Sequence, residues 1–410
     1  MRNNPARLAW IILLSSFITF CVLAVSIPLG IRWLVLHSRT TQPGTVLVTS
    51  GTVTILPNLD SDPIAVASQR VVEPGTQIRT DQRSQAALVF AHGRSDSGAG
   101  EEFATIQVYP AASVLIAHAS RPLFASSPDP ARFNIGVTSG RVRIYVTPAE
   151  PDGQEFTVTT PHGVAQLAPG SYSIQVQNDQ TQVVTRSGKA VVNANGAQIT
   201  VVAGTTTIIQ PGQPPATITA IADNLLANGN FQSPLAPPSW LVGVNPPDDP
   251  TAGSAEIIEI GGRSAALLRR VNQPPTHSEI ALTQVLDRSV HDYEALNLQM
   301  DVLLRWQSLP GAGERSSEFP LMFRLDYEDI YGNHQFWTHG FYYQDPLPQW
   351  VITGGEKIPQ NIWFSYESGN LLERLSSEGL PPPATLNYLR IYASGHNFES
   401  LVAEVRLIGR

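Results

Sequence analysis

The chain has 410 residues, with 26 Lys and Arg against 34 Asp and Glu, a formal net charge of −8, and only 15% charged residues. That mildly acidic balance, without any basic block, argues against a nucleic-acid-binding role. A single cysteine, Cys21, excludes an internal disulfide, a catalytic thiolate outside the apolar amino terminus and a Cys-based zinc site.

The first element is Leu8–Ile31, LAWIILLSSFITFCVLAVSIPLGI, a run without a charged residue bounded by Arg7 and Arg32. At about 1.5 Å rise per residue such a helix reaches roughly 36 Å, enough for a hydrocarbon core of about 30 Å. Trp10 and Trp33 stand near its ends, where amphipathic rings favour the interface. The reading is an uncleaved anchor over 8–36 that leaves Met1–Arg7 as a cytoplasmic tail and the rest of the chain outside the cell membrane. A cleaved signal peptide is the alternative, since Ala24-Val-Ser26 resembles a small-x-small site, although the apolar character runs on through Leu36.

From 38 to 210 the chain reads as one all-β domain of short strands. Val46–Ser50, Thr52–Leu56, Val71–Arg79, Ala86–Phe90 and Phe103–Ala117 run apolar or alternate, with Gly93–Glu102 as a loop of small and polar residues. In Gly140–Val146, Val142, Ile144 and Val146 share one face and Arg141, Arg143 and Tyr145 the other. Further β-prone pieces lie at 156–160, 171–176, 181–186, 190–193, 198–202 and 206–210, separated by Gly, Asn or Pro.

The series Gly75-Thr-Gln-Ile-Arg-Thr-Asp-Gln-Arg-Ser-Gln-Ala-Ala-Leu-Val-Phe90, Ser139-Gly-Arg-Val-Arg143, Phe156-Thr-Val-Thr-Thr-Pro-His-Gly-Val-Ala165, Gly170-Ser-Tyr-Ser-Ile-Gln-Val176, Gly188-Lys-Ala-Val-Val192 and Val202-Ala-Gly204 resembles the FecR-like domain in order and spacing. The resemblance implies an envelope-facing β module, a roll or solenoid of short strands, used for sensing or protein contact. Gly75, Gly163, Gly188 and Gly204 read as turn positions that need φ > 0. FecR-type regulators also carry a cytoplasmic domain that controls a sigma factor. Met1–Arg7 is too short to hold one, so that activity is not carried over.

Residues 211–222, PGQPPATITAIA, form a Pro-rich joint. The following Asp223-Asn-Leu-Leu-Ala-Asn-Gly-Asn-Phe-Gln232, with Trp240 behind it, resembles the first strand of galactose-binding-like jelly rolls, the fold of many carbohydrate-binding modules. A β-sandwich over 223–410 is therefore expected. In Leu298–Trp306 the residues Leu298, Met300, Val302, Leu304 and Trp306 should share the core face, with Asp301 and Arg305 opposite. In Phe319–Tyr327 the odd-numbered residues should face inward and Arg324 and Asp326 outward, and Tyr388, Arg390 and Tyr392 should share a face.

Flat aromatics beside guanidinium and carboxylate groups suit sugar recognition, through stacking and paired hydrogen bonds. The expected ligand set is Arg305, Arg324, Asp326, Arg390 and Tyr392 on one sheet face, with Trp337 from the aromatic stretch Phe336–Tyr343. A solvated face of cross-strand ion pairs is the competing reading. No cofactor is expected. Asp326, Glu328 and Asp329 ahead of Gly332-Asn333 read as an acidic hairpin, with a structural calcium ion as the alternative. The chain has no H-E-x-x-H, G-x-S-x-G, P-loop or Rossmann signature, which points away from catalysis. The whole reads as a membrane-anchored binding protein that contacts a glycan or an envelope protein. The alternatives are a structural envelope component and, behind it, a cryptic glycan hydrolase.

Overall fold

An uninterrupted apolar run can satisfy its backbone only by coiling, and Pro5–His37 is a single 33-residue helix. The computed structural model describes residues 5–58, 61–92, 101–124, 126–148, 153–217, 219–220, 224–247, 249 and 251–410. The 93–100 part of the expected loop, Asp223, and part of the Pro-rich joint lie outside the described residues. The helix is long and apolar enough to cross a membrane, and its large side chains from Trp10 to Leu34 are exposed along the whole length. The chain leaves it at Ser38 and enters a strand, Arg39–Thr41.

Residues 39–220 form a hydrogen-bonded network of short strands that closes on itself. Its organiser is the 16-residue strand Ala131–Val146. Residues 131–136 pair in parallel with Gln154–Thr159, whereas residues 140–146 pair antiparallel with Gly170–Val176 and, over 142–146, also with the 104–108 part of Glu101–Val108. The strand passes from one layer to the other at Gly140, which has φ +79° and would place a Cβ 2.4 Å from the Ala112 Cα. Between the layers lies a continuous core that includes Ile106, Ile144, Tyr172, Val183 and the ring series Phe90, Phe133 and Phe156. Successive centroids in that series are 5.1 and 5.7 Å apart. Gly75, Gly188 and Gly204 have positive φ. Gly163 does not; a Cβ there would meet the Asn193 carbonyl oxygen at 2.8 Å, so space and not backbone angle selects glycine.

Residues 224–410 build a sandwich of two sheets around a second core. The six-stranded sheet has the order Leu241–Asn245, Ser278–Ser289, Pro383–Gly395, Leu321–Asp329, His334–Tyr342, Gly355–Lys357. The five-stranded sheet has the order Ser254–Ile260, Arg263–Arg270, Phe398–Gly409, Leu296–Gln307, Phe364–Glu367. Leu298, Met300, Val302 and Leu304 meet Leu321, Phe323, Leu325, Leu389 and Ile391 between them. Trp306 does not join that row. A register shift between Leu304 and Trp306 turns it out, to 39% exposure, and buries Gln307 instead.

The Asn224–Trp240 opening is not a strand. Asn224 makes one bridge to Ile408 and its Oδ1 accepts from the Leu407 backbone, while Trp240 is fully buried, stacks on Phe231 at 5.7 Å and donates from Nε1 to the Asn228 carbonyl at 3.0 Å. Gly229 passes against the Val405 carbonyl where no side chain fits. A short helix, Leu371–Ser377, was not anticipated from the sequence. Its signal is the Asn370-Leu-Leu-Glu373 box, in which the Asn370 side chain accepts from the Leu372 N–H at 3.2 Å and Leu371 and Leu375 turn into the core.

Candidate functional site

Alternation in Leu321–Asp329 sends Phe323, Leu325 and Tyr327 inward and leaves Arg324 and Asp326 on the outer face of the six-stranded sheet. The neighbouring strand delivers Arg390 directly opposite Arg324, Tyr388 opposite Asp326 and Tyr392 opposite Met322. On the far side Phe336 stands opposite Asp326. Two arginines on adjacent strands repel unless neutralised. Here Asp326 accepts from Arg324 Nη2 at 2.9 Å and from Asn387 at 3.2 Å, and Glu279 receives Arg390. Arg324 lies 4.0 Å over the Phe336 ring and Arg390 4.8 Å over Tyr392.

Burial alone would raise the Asp326 pKa, but hydrogen bonds from Arg324, Asn387 and Tyr388 outweigh it and hold the carboxyl below the ordinary aspartate value. Tyr388 is pushed up by burial and by its bond to that carboxylate. The result is a fixed row of charge and ring edges with Phe336 51% exposed and Val285 and Leu241 also open. One end of the face is covered: Phe319, Ala312 and Ile352 pack over Ala281, Met322 and Tyr392, so Tyr392 forms a wall rather than a platform.

The sheet assembles four of the six expected residues, Arg324, Asp326, Arg390 and Tyr392. Arg305 is not among them. It lies on the five-stranded sheet and pairs with Glu399 at 3.0 Å, because the strand that bears it belongs to the opposite layer. Trp337 is also elsewhere. As the neighbour of Phe336 in a strand it points to the other side, into the core, 5.2 Å from the Phe323 ring, with Nε1 donating to Glu378 at 2.9 Å. The acidic hairpin does not present converging carboxylates: Asp329 accepts from the Tyr331 and Asn333 backbone at 2.8 and 2.9 Å, and no metal-ligating cluster occurs among the described residues. Glu279 and Thr283 join the outer face from a strand whose place in the sheet is not readable from local pattern.

The outer face of the five-stranded sheet is occupied by the amino-terminal module. Asp301 is 1% exposed and takes Arg143 in a two-point pair, Nη1 to Oδ1 at 2.6 Å and Nη2 to Oδ2 at 3.0 Å, with Arg263 at 3.0 Å and Ser365 at 2.8 Å. Glu367 takes Arg141 through two contacts of 2.6 Å and Arg186 at 3.1 Å. Arg263 is stacked between the modules, 3.6 Å from Tyr145 and 4.4 Å from Trp363. Burial opposes ionisation of Glu367, and Arg141 and Arg186 reverse that, holding it below the usual glutamate value. The second face of Gly140–Val146, polar in sequence, is thus an inter-module contact.

Residues 76–191 match the family described as FecR protein, and the chain carries a FecR domain there. No curated protein matches the chain. Among solved structures, a chain assigned as an anti-sigma factor from Parabacteroides distasonis is similar at 13% identity over 35% of this chain, with TM-score 0.26. This chain spans 59% of that protein's length. The carbohydrate-binding module TmCBM61, in complex with β-1,4-galactotriose, is similar at 12% identity, covering 46% of this chain and all of its own, with TM-score 0.26. A family 11 carbohydrate-binding module from Clostridium thermocellum, in complex with a β-1,3-1,4-mixed-linked tetrasaccharide, is similar at 14% identity, covering 47% and 98%, with TM-score 0.27.

Proposed function

We propose that the chain is a membrane-anchored, extracytoplasmic, non-catalytic binding protein whose sandwich takes a glycan on the outer face of the six-stranded sheet. The observation that carries this is the asymmetry of the two sheets. The outer face of the five-stranded sheet is plugged by the FecR domain, and that of the six-stranded sheet is open and bears Arg324, Asp326, Tyr388, Arg390 and Phe336. Rings stack on sugar C–H faces, and the cations, held in place by the buried Asp326 and by Glu279, pair with hydroxyls. The FecR domain serves as the arm that couples the anchor to this face and offers its remaining surface to an envelope partner. The helix Pro5–His37 holds the assembly at the membrane, with both β modules on the outside. Protease shaving of intact cells should then remove the β modules; a fully protected chain contradicts this placement.

A glycan array with the full chain should give at least one oligosaccharide hit. Calorimetry with that hit should show Arg324→Ala and Arg390→Ala each weakening binding by about 1.5–3 kcal/mol, the cost of losing a hydrogen bond to a charged group. The Arg324 and Arg390 side chains are each 31% exposed and Asp326 keeps Asn387 as a second donor, so both variants should stay folded, with Arg324→Ala the less stable because Asp326 is 4% exposed; thermal melts check this. Unchanged affinity in two folded variants would make this face a solvated ion-pair surface and favour a structural envelope role.

A further inference from the structure

The FecR domain and the sandwich do not close completely on one another. A cavity of about 440 Å³ opens at their junction, lined by Arg186, Gly204, Asn228, Asn230, Glu404 and Arg406. A second of about 170 Å³ shares Arg186 and Arg406 with it and adds Arg141, Gln175, Gln182 and Gln299. The junction holds five guanidiniums, those of Arg141, Arg143, Arg186, Arg263 and Arg406. Three carboxylates, Asp301, Glu367 and Glu404, face them. In a protein of net charge −8 this crevice therefore carries a local excess of two positive charges.

One unit of that excess lies at the two cavities, where Arg141, Arg186 and Arg406 face Glu367 and Glu404, and the other lies at Asp301, between Arg143 and Arg263. Asp301 is committed to Arg143 and Arg263, and Glu367 to Arg141 and Arg186. Arg406 reaches Glu404 only at 3.8 Å and donates instead to the Arg186 carbonyl at 2.8 Å. Arg186 is 6% exposed, and its Nη1 has no hydrogen-bond partner among the described residues. Burial and the nearby Arg143 depress its pKa to about 10 against the opposing pull of Glu367, whose carboxylate it shares with Arg141.

We infer that this crevice is a second binding site, separate from the sheet face, that takes a carboxylate-bearing sugar, with the uronate carboxylate anchored by Arg406 and Arg186. The planar guanidinium fork matches a carboxylate. The amides of Gln175 and Gln299 carry both donor and acceptor, which is what vicinal hydroxyls require, and Gln182 keeps its amide oxygen while it donates to Thr206. The combined volume falls in the range of small-molecule sites. The two modules would then bind the ligand jointly, and occupancy would tighten their docking.

The test uses the full chain in detergent with trigalacturonate as the probe, galactotriose as the neutral control and sodium sulfate as the simple-anion control. Trigalacturonate should bind, galactotriose should bind at least tenfold more weakly in this competition, and sulfate should not displace it at equal concentration. Arg406→Gln should raise the trigalacturonate Kd at least tenfold. Gln182→Glu, a change at a partly exposed position, should do the same by adding a repelling charge and serves if Arg406→Gln melts early. Arg132→Ala, at an exposed ion pair with Glu155 that lines neither the cavities nor the sheet face, should leave the Kd unchanged. The inference is overturned by absence of trigalacturonate binding, by equal displacement of bound trigalacturonate by the neutral sugar, by displacement with sulfate, or by a Kd sensitive to Arg390→Ala and not to Arg406→Gln. These outcomes are independent of whether a neutral glycan uses the sheet face.

Discussion

Asp301→Ala should destabilise the full chain by about 3–5 kcal/mol, the range for deleting one partner of a buried ion pair. The carboxylate neutralises Arg143 and Arg263, whose side chains are 3% and 4% exposed, so its removal strands two buried cations. Denaturant unfolding followed by tryptophan fluorescence is the measurement, since Trp363 sits under Arg263 at the same junction. Replacing the triad together, as Arg143→Met and Arg263→Met with Asp301→Leu, should cost much less than Asp301→Ala alone, because a buried ionic cluster can be exchanged for apolar packing with little loss when no charge is left behind. A loss below about 1 kcal/mol for Asp301→Ala would mean that the modules are not held together through this carboxylate.

Trp337→Ala should cost a further large amount, about 3–5 kcal/mol, as expected for emptying an aromatic-sized space in a packed core. The ring touches Phe323 and His339, lies under Arg374 at 5.0 Å, and gives its N–H to Glu378. The adjacent Phe336→Ala should change stability by no more than about 0.5 kcal/mol, since Phe336 faces solvent. The pair of melts reads the orientation of the strand directly. Equal effects at both positions would contradict the assignment of Trp337 to the core.

These two cases mark the limit of what the sequence could disclose. Period-2 alternation in Leu321–Asp329 was legible because Phe323, Leu325 and Tyr327 differ in kind from Arg324 and Asp326. In His334–Tyr342 both sides carry rings, so nothing local told Phe336 from Trp337. Arg305 shared the right chemistry with Arg324 but not the right sheet, because strand order arises from long-range pairing. The register shift beside it also reversed Trp306, an event that no spacing signals. The Arg141, Arg143, Tyr145 face was recognised as polar, yet its partners Asp301, Glu367 and Arg263 lie more than a hundred residues away and become visible only when the modules dock. The turn glycines Gly75 and Gly204 of the FecR domain were readable for the opposite reason: they act locally, through their own φ, with no close neighbour in the way.

The proposal that the open sheet face carries the ligand is tested most directly by hydroxyl-radical footprinting of the full chain, with and without the glycan selected on the array. Phe336 and Tyr388 should lose reactivity when the glycan is added. Tyr331, exposed at the hairpin tip, and Trp306, on the other sheet, should keep theirs. Protection of Tyr331 or Trp306 with Phe336 unchanged would place the ligand elsewhere and contradict the assignment of the face.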